Sequence, residues 1–496
     1  MELTQQQETI IDEVVNGTGN ILVRARAGTG KTATAKLAAG AYFQANPDHA
    51  IVGMAFNKSI AKDLNEAMPF ATVRTANSFG HGAWFKRCGQ KVYLNTRKNY
   101  DIIKELNRDD RFQDLPRAFS ICKAWGMVPS TAPAEPIIFM AANAENIKSL
   151  FDNYNIDTED CADPVGIIRE CLHNNIMRGW KGEIDFDDQV YLSTIYKAPL
   201  PKADLLVLDE TQDLNPIQRF MAQQMLKPGG RLLALGDDAQ AIYGFRGADR
   251  DSVDNVVEEF NCKVLPLTVS FRCPKAVVLK AQEFVKDIQP YEHALEGQVS
   301  TVDKDYRLIK ERPKSRMAIL CRNNAPLVGG ALRLIENNIG AVILGRDIER
   351  GLIKLIEKQK AQTLQELKSK LFNYITKEQD RLILKGAKNA AQLIEDKGKC
   401  LEILISNESK ESNPSIQGVK LTIKSLFSDD DNGPITLSTI HKAKGLEWPV
   451  VFILEQNLMP SRFAKTAKEL EQEMNLHYVA VTRAKETLIY IDSDNI

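Results

Sequence analysis

A short apolar run, Asn20–Val23, leads into Ala25-Arg26-Ala27-Gly28-Thr29-Gly30-Lys31-Thr32, and a helical pattern, TATAKLAAGAYF, starts directly behind it. No other stretch restricts the fold as tightly. A strand that passes through a two-glycine turn into a helix sends the chain back across its own sheet, so the next strand lies parallel. Gly28 and Gly30 let backbone N–H groups turn inward, and the helix N-terminus adds its positive dipole end. Together these form a phosphate cradle with Ala27 and Thr29 in the turn. Lys31 is placed to reach the β- and γ-phosphates of a nucleotide, and the Thr32 hydroxyl to hold Mg²⁺.

Five more short apolar runs precede helical patterns: Ala50–Phe56, Ala203–Leu208, Arg231–Leu235, Met317–Cys321 and Pro449–Leu454. Six such units exceed one ordinary sheet, so the expected fold class is α/β with two parallel-sheet cores. Residues 81–180 lack strand runs and are expected to be helical, interrupted near Pro129, Pro133 and Pro136. Residues 351–428 are helical and charge-rich, and read either as a solvated hairpin or as a partner-binding element, with loop-like polar stretches at Ser406–Ser415 and Ser428–Gly433. The partition that follows puts 1–80 with 181–268 in a first core and 269–350 with 429–496 in a second. The segments 81–180 and 351–428 are insertions. No period of 20–50 residues repeats, which argues against a solenoid.

Composition narrows the partners. Lys and Arg number 64 against 65 Asp and Glu, so no bulk positive field exists to coat nucleic acid. A local basic channel fits within that balance. Residues 67–100 hold Arg74, Lys86, Arg87, Lys91, Arg97 and Lys98 with no acidic residue, and Trp84, Phe85, Tyr93 and Tyr100 interleave. Basic charge mixed with aromatics suits a funnel for a single strand. The eight cysteines form no C-x-x-C pair and the six histidines do not cluster near them, so zinc and iron–sulfur spacings are absent. Such thiols suit a reducing, cytoplasmic-type compartment. No apolar run approaches the ~20 residues that span a bilayer, and the first residues lack a signal-peptide pattern.

Two further motifs end apolar runs in polar groups. Leu205-Leu-Val-Leu-Asp209-Glu210-Thr-Gln212-Asp213 carries two carboxylates at a strand end, where open α/β folds bind ligands. Asp209 is the candidate Mg²⁺ partner, and Glu210 the candidate base that polarises an attacking water. Leu232-Leu-Ala-Leu-Gly236-Asp237-Asp238-Ala-Gln240-Ala-Ile-Tyr243-Gly-Phe245-Arg246 leads from a strand into a glutamine, two aromatics and an arginine. Gln240 can sense a γ-phosphate through its amide. Tyr243 and Phe245 can stack on exposed bases.

In this order the segments resemble superfamily 1 DNA helicases of the UvrD/Rep/PcrA type. Leu3-Thr4-Gln5-Gln6-Gln7 resembles the family's adenine-reading element, with Gln7 in the reading position. Ala55-Phe56-Asn57-Lys58 and Thr75-Ala-Asn77-Ser78-Phe79 resemble its single-strand-contacting segments, and Ile184-Asp-Phe186-Asp-Asp188 a further motif. Val269-Ser-Phe271-Arg272, Thr436-Leu-Ser-Thr439-Ile-His441-Lys-Ala-Lys444-Gly445-Leu-Glu447 and Tyr478-Val-Ala-Val-Thr482-Arg483-Ala484 resemble those of the second core. The resemblance spans Leu3 to about Ile489.

It implies two RecA-like P-loop cores with ATP between them and Mg²⁺ as its companion. Lys31, Thr32, Asp209, Glu210 and Gln240 would serve the nucleotide from one core. Arg272 and Arg483 would act as arginine fingers from the other, Phe271 would stack on adenine, and Glu447 would hold the ribose. The implied DNA contacts are Phe56, Asn77, Phe79, Tyr243, Phe245, Arg246, His441 and Lys444. The implied activity is 3′→5′ single-strand translocation with unwinding at single-strand/duplex junctions. Repair, replication or recombination proteins are the implied partners, and DNA is favoured over RNA. The sequence departs from the family at Ala33, Asn77, Phe245 and Phe271, where many relatives carry Arg, His, Trp and Tyr. Only about 165 residues separate Arg272 from Thr436, so the second insertion is reduced. Other readings are a translocase that displaces proteins or serves a nuclease, an ATP-binding module without catalysis, and a P-loop kinase or transporter ATPase. The retained Lys31, Asp209, Glu210, Arg272 and Arg483 argue against the inert module.

Overall fold

The computed structural model describes residues 3–55, 57–106, 114–154, 156–158, 161–242, 251–301, 316–384, 388–429 and 435–491. Phe56, Tyr243, Phe245 and Arg246 therefore lie outside the described residues. The chain divides into two units, Met1–Thr268 and Val269–Ile496.

The first unit begins with α1 (Gln5–Asn16), β1 (Asn20–Ala25), α2 (Lys31–Ala45), β2 (Ile51–Ala55), α3 (Lys58–Ala67) and β3 (Thr72–Thr75). A mainly helical excursion follows: α4 (Ala76–Cys88), β4 (Tyr93–Leu94), α5 (Lys98–Leu106), α6 (Leu115–Ala124), β5 (Met127–Val128), β6 (Met140–Ala141), α7 (Ala144–Asn153), α8 (Pro164–Trp180), β7 (Glu183–Ile184) and α9 (Phe186–Ile195). The chain returns through β8 (Ala203–Leu208), α10 (Pro216–Met225), β9 (Leu226–Gly236), α11 (Ser252–Phe260) and β10 (Cys262–Leu267). Six strands form one parallel sheet in the order β10-β1-β9-β8-β2-β3. Strands such as Leu205–Leu208 are apolar without alternation because helices cover both faces. β10 escapes a simple apolar reading because it carries Lys263 and Pro266. It lies at the sheet edge, where a proline's missing N–H is tolerated.

The excursion is not purely helical. Its two-residue ladders, β4 with β7 and β5 with β6, are too short to show a period in sequence. α4 packs closely on α9: a Cβ at Gly80 would fall 1.9 Å from the Gln189 carbonyl oxygen, so only glycine allows this approach. Trp84 is buried against Trp180 and Tyr196, with its indole N–H donating to the Gly179 carbonyl at 3.2 Å.

Two lysines in this region are fully buried. Lys98 donates to Asp188 at 2.6 Å and to the Asn175 carbonyl at 2.8 Å. Lys123 donates to Asp185 at 2.6 Å and to Asp188 at 3.2 Å. Asp185 and Asp188 also cap α9 reciprocally through its backbone N–H groups. Burial would raise the Asp188 carboxyl, but Lys123 and Lys98 outweigh it and hold it well below the usual carboxylate range. The network thus ties α5, α6 and α8 to the first turn of α9.

The second unit contains β11 (Val269–Ser270), α12 (Lys275–Ala281), β12 (Gln289–Pro290), β13 (Gln298–Thr301), β14 (Met317–Cys321), α13 (Asn324–Glu336) and β15 (Ala341–Leu344). Four helices follow: α14 (Arg346–Gln359), α15 (Leu364–Leu384), α16 (Lys388–Glu408) and α17 (Ile416–Leu426). The unit ends with β16 (Phe427–Ser428), β17 (Ile435–Thr439), α18 (Ile440–Ala443), β18 (Trp448–Leu454), α19 (Ala467–Val481) and β19 (Ala484–Ile491). Seven strands form a second parallel sheet, β13-β19-β18-β14-β17-β15-β16.

The charged helices are not a free solvated hairpin. Leu367, Leu371, Leu401, Leu404 and Ile405 enter the same core as the sheet residues Ile319 and Leu437. α16 also runs through Ser406 to Glu408, whose carboxylate accepts from the Ser415 N–H at 3.1 Å. Among the described residues no helix is long and apolar enough to cross a membrane, and all eight cysteines are free thiols.

Removing one partner of a buried ion pair leaves an uncompensated charge. Lys123→Met should therefore destabilise the first unit by about 3–5 kcal/mol. Urea denaturation followed by tryptophan fluorescence reads this directly, because Trp84, Trp125 and Trp180 all lie in that unit.

Candidate nucleotide and nucleic-acid site

Three adjacent strands, β1, β9 and β8, carry the candidate chemistry to one sheet edge. Open α/β sheets bind ligands beyond the carboxyl ends of such strands. β1 runs into the glycine turn, β8 into Asp209-Glu210, and β9 into Asp237.

The turn needs its glycines. Gly28 and Gly30 have φ of 73° and 78°, where a side chain would cost about 1–2 kcal/mol. Gly30 also precedes the first turn of α2, and no side chain caps that end. The positive end of α2 thus faces the cradle, as an anion site requires. Ala27 and Thr29 are buried within the turn, and the Thr29 hydroxyl donates to the Arg26 carbonyl at 2.8 Å.

Lys31 Nζ lies 2.9 Å from Glu210 Oε2. Burial pulls the Lys31 ammonium down, but Glu210, Asp237 and Asp209 outweigh it and hold it above the ordinary lysine range. Burial and the neighbouring Glu210 carboxylate push the Asp209 carboxyl upward. The Thr32 hydroxyl donates to Asp209 Oδ2 at 3.1 Å. Thr32 and Asp209 therefore present two hard oxygens side by side, which fits Mg²⁺ sharing the rest of its shell with phosphate and water. Among the described residues no cluster of three His, Cys, Asp or Glu makes a metal cage without such help.

Glu210 adopts φ 54°, ψ 46°, a left-handed conformation that costs a residue with a side chain about 1–3 kcal/mol. The surroundings enforce it. Asp209 Oδ1 accepts from the Glu210 N–H at 2.9 Å, and Thr211 is tied to the Leu235 carbonyl and to the Ser252 hydroxyl. From Glu210 a chain of hydrogen bonds runs onward. Gln212 Nε2 donates to Glu210, the Asp237 N–H donates to Gln212 Oε1 at 3.0 Å, and Gln240 Nε2 donates to Asp237 Oδ2 at 2.7 Å. Arg26, from inside the glycine turn, pairs with Asp237 and Asp238. The candidate sensor Gln240 is thus wired to Lys31 through three residues, Asp237, Gln212 and Glu210, with the backbone N–H of Asp237 making one of the links. Arg26, Gln212 and Asp237 were not picked out as site residues from sequence. Asp237 had a signal in the Gly-Asp-Asp ending of a buried strand, whereas Arg26 and Gln212 had none of their own.

Gln7 is buried beside the turn. Its amide accepts from the Thr4 N–H at 3.0 Å and donates to the Thr34 hydroxyl at 3.1 Å, so reading a base would require exchanging these bonds.

In the second unit, Arg272 Nε lies 2.5 Å from Glu447 Oε2, and Lys485 donates to Glu447 Oε1 at 3.0 Å. Burial would raise the Glu447 carboxyl, but Arg272 and Lys485 outweigh it and hold it below its usual range. Arg483 is buried. It donates to the carbonyls of Val479 at 2.9 Å and Leu446 at 3.1 Å. Burial, and then the like charge of Arg272, push it down to about 10, so it remains cationic at neutral pH. The Phe271 ring meets Tyr291 at 4.9 Å between centroids, a neighbour the sequence did not reveal. His441 lies in α18 and Lys444 just after it, both half-buried.

Among the expected nucleic-acid contacts, Phe79 requires correction. It is buried, because α4 turns Ala76, Phe79, Gly80, Ala83 and Trp84 toward α9. Asn77 stays partly exposed, and its amide donates to the Phe186 carbonyl at 2.7 Å. Phe186, exposed at the start of α9, is the aromatic that this corner offers instead.

Comparison with known proteins matches residues 6–246 to an AAA domain model and residues 283–495 to the UvrD-like helicase C-terminal domain. The chain is 23% identical over 612 positions to the ATP-dependent DNA helicase PcrA of Staphylococcus epidermidis, covering 95% of this chain and 81% of that protein. It is 24% identical to F-box DNA helicase 1 of Gallus gallus, covering 99% of this chain and 49% of that protein. Against the ATP-dependent DNA helicase srs2 of Schizosaccharomyces pombe it is 22% identical, over 63% of this chain and 50% of that protein.

Removing the ammonium at position 31 takes away a cation that faces Glu210 and Asp209 beside the phosphate cradle. Lys31→Ala should lower nucleoside triphosphate turnover by at least ~10²–10³-fold while leaving nucleic-acid affinity intact. Steady-state hydrolysis and fluorescence anisotropy on the same preparation check both halves.

Proposed function

Since this chain belongs to the UvrD-like superfamily 1 helicases and is an ATP-dependent DNA helicase, we propose that it tracks 3′→5′ along single-stranded DNA and opens duplex at the junction ahead. The observation that carries this reading is the meeting of Lys31, Thr32, Asp209, Glu210 and Gln240 at the ends of three neighbouring strands. That set suits phosphoanhydride hydrolysis, which needs positioning and charge stabilisation more than covalent chemistry.

In this reading the triphosphate of ATP displaces Glu210 from Lys31. The freed carboxylate then orients the attacking water. Thr32 and Asp209 would hold Mg²⁺, which supplies charge neutralisation to the phosphates when bound. Arg272 and Arg483 would meet the charge that develops on the γ-phosphate, worth ~10³–10⁵ in rate where arginine fingers have been measured. For Arg272 this means leaving Glu447, which would turn to the ribose as Phe271 turns to the base. Gln240 would report the state of the phosphate to the segment that follows it, where Tyr243, Phe245 and Arg246 are the proposed DNA contacts. Phe56, Asn77, Phe186, His441 and Lys444 are proposed to grip the strand elsewhere, and alternating grip would turn hydrolysis into steps.

Duplexes carrying a single-stranded tail on one end separate the polarities. A 3′-tailed duplex should be unwound in ATP and a 5′-tailed duplex of the same sequence should not. Equal unwinding of both, or preference for the 5′ tail, would overturn the assigned direction.

A further inference from the structure

The basic and aromatic stretch between Trp84 and Tyr100 is only partly absorbed by the site above. Trp84 and Lys98 point inward and serve the core. The remaining side chains do the opposite. Tyr93 and Tyr100 are 52% and 55% exposed, although large aromatic rings are usually covered. Leu94, Lys91 and Arg97 are exposed beside them. The Arg97 guanidinium lies 5.4 Å from the Tyr100 ring centroid, which sets a flat cation over a flat ring.

The platform beneath is rigid. β4 is laddered to β7, pairing Tyr93 with Glu183 and Leu94 with Ile184, and the Asn95 N–H donates to the Ile184 carbonyl at 2.8 Å. A tight turn then leads into α5, where the Arg97 N–H donates to Asn95 Oδ1 at 2.9 Å. Lys98, next in the chain, is pinned by Asp188. Asp188 belongs to the first turn of α9, which starts at Phe186. The buried network therefore fixes Arg97 and Tyr100 relative to Phe186, and β7 joins the two places directly.

The segment itself carries only positive charge, although Asp187, next to Phe186, is exposed and accepts from the Ser120 hydroxyl at 2.7 Å. Residues 67–100 include no acid. Of the neighbouring acids, Glu183 accepts from the Asn95 amide at 2.7 Å and lies 3.7 Å from Arg178, and Glu105 pairs with Arg178 at 2.7 Å. Asp101, in the first turn of α5, is half-buried.

We infer that the β4–β7 ladder and the start of α5 form an additional contact surface for single-stranded DNA, continuous with the Asn77–Phe186 corner. Tyr93 and Tyr100 stack on unpaired bases there, and Lys91 and Arg97 meet the backbone. The occupant is single-stranded because an exposed ring gains its ~1–3 kcal/mol per base only from a base face that stacking within a duplex has not buried. The inference rests on the reading of this chain as a DNA motor and extends its track by about two nucleotides, one per ring.

Binding of the full chain to oligothymidylates of increasing length, read by fluorescence anisotropy, tests it. A Tyr93→Ala/Tyr100→Ala variant should reach its affinity plateau about two nucleotides earlier than wild type, and bind the longest oligomers roughly tenfold or more weakly. Its affinity for the shortest oligomers that bind should match wild type. Equal loss at every length, or none at any length, would overturn the surface, as would an equal loss on blunt duplex. If wild type itself binds no single strand, the motor reading fails instead, which keeps the two failures apart. Photocrosslinking of 5-iododeoxyuridine oligomers gives a second readout: adducts at Tyr93 or Tyr100 are expected, and their absence alongside adducts elsewhere in the first unit contradicts the surface.

Discussion

Everything at the sheet edge of the first unit is organised around one ammonium group. Lys31 stands against Glu210 at 2.9 Å, with Asp209 and Asp237 close enough to raise its proton affinity further. Three carboxylates, Glu210, Asp209 and Asp237, face Lys31 and Arg26, so negative charge exceeds positive. Burial, and then the neighbouring Glu210 carboxylate, push Asp209 toward protonation. A triphosphate would add more negative charge, so it can settle there only with a divalent cation and further cations. The cradle amides, Mg²⁺ and the arginines of the second unit are the groups proposed to supply that charge. Coulomb energies at this depth are large enough for each of these additions to matter to the rate. The same imbalance explains why Arg26 is drawn out of the turn toward Asp237 and Asp238.

A second set of charges does a different job. Lys98 and Lys123 with Asp185 and Asp188 carry no apparent chemistry, yet they are among the most deeply buried ionic groups in the chain. A buried network of this kind is weak evidence for stability, because desolvation offsets most of its attraction. It does impose a geometry. Four helices meet at fixed angles around Asp188, and the exposed side chains that flank the network inherit that placement. Phe186, Arg97 and Tyr100 are surface residues whose positions are set by charges in the interior.

The strands, the glycine turn and the paired carboxylates could be read from sequence because each has a local cause. An apolar run buried on both faces, two glycines at positive φ and polar residues at strand ends all follow from neighbours within a few positions. The misread residues have non-local causes. Phe79 looks like any aromatic beside a polar segment until the packing of α4 on α9 shows which way it faces. Lys98, counted with the basic stretch, carries a charge that ordinarily marks a surface, and only the Asp188 carboxylate, 90 positions away, reverses that expectation. The charged helices of the second unit bury leucines whose spacing alone did not distinguish a core face from a hairpin seam. Gln7 could be assigned a position but not its partners, since Thr34 is remote in sequence. Arg26 and Gln212 became visible only once β1, β8 and β9 were side by side.

The central claim is that the charge-crowded pocket around Lys31 belongs to a motor whose hydrolysis depends on its track. Steady-state ATP hydrolysis with and without single-stranded DNA tests it most directly, with duplex DNA and RNA in parallel. The account predicts a large rise in turnover with single-stranded DNA and little with blunt duplex. Hydrolysis that stays flat on adding single-stranded DNA, in protein that still binds ATP, would contradict it.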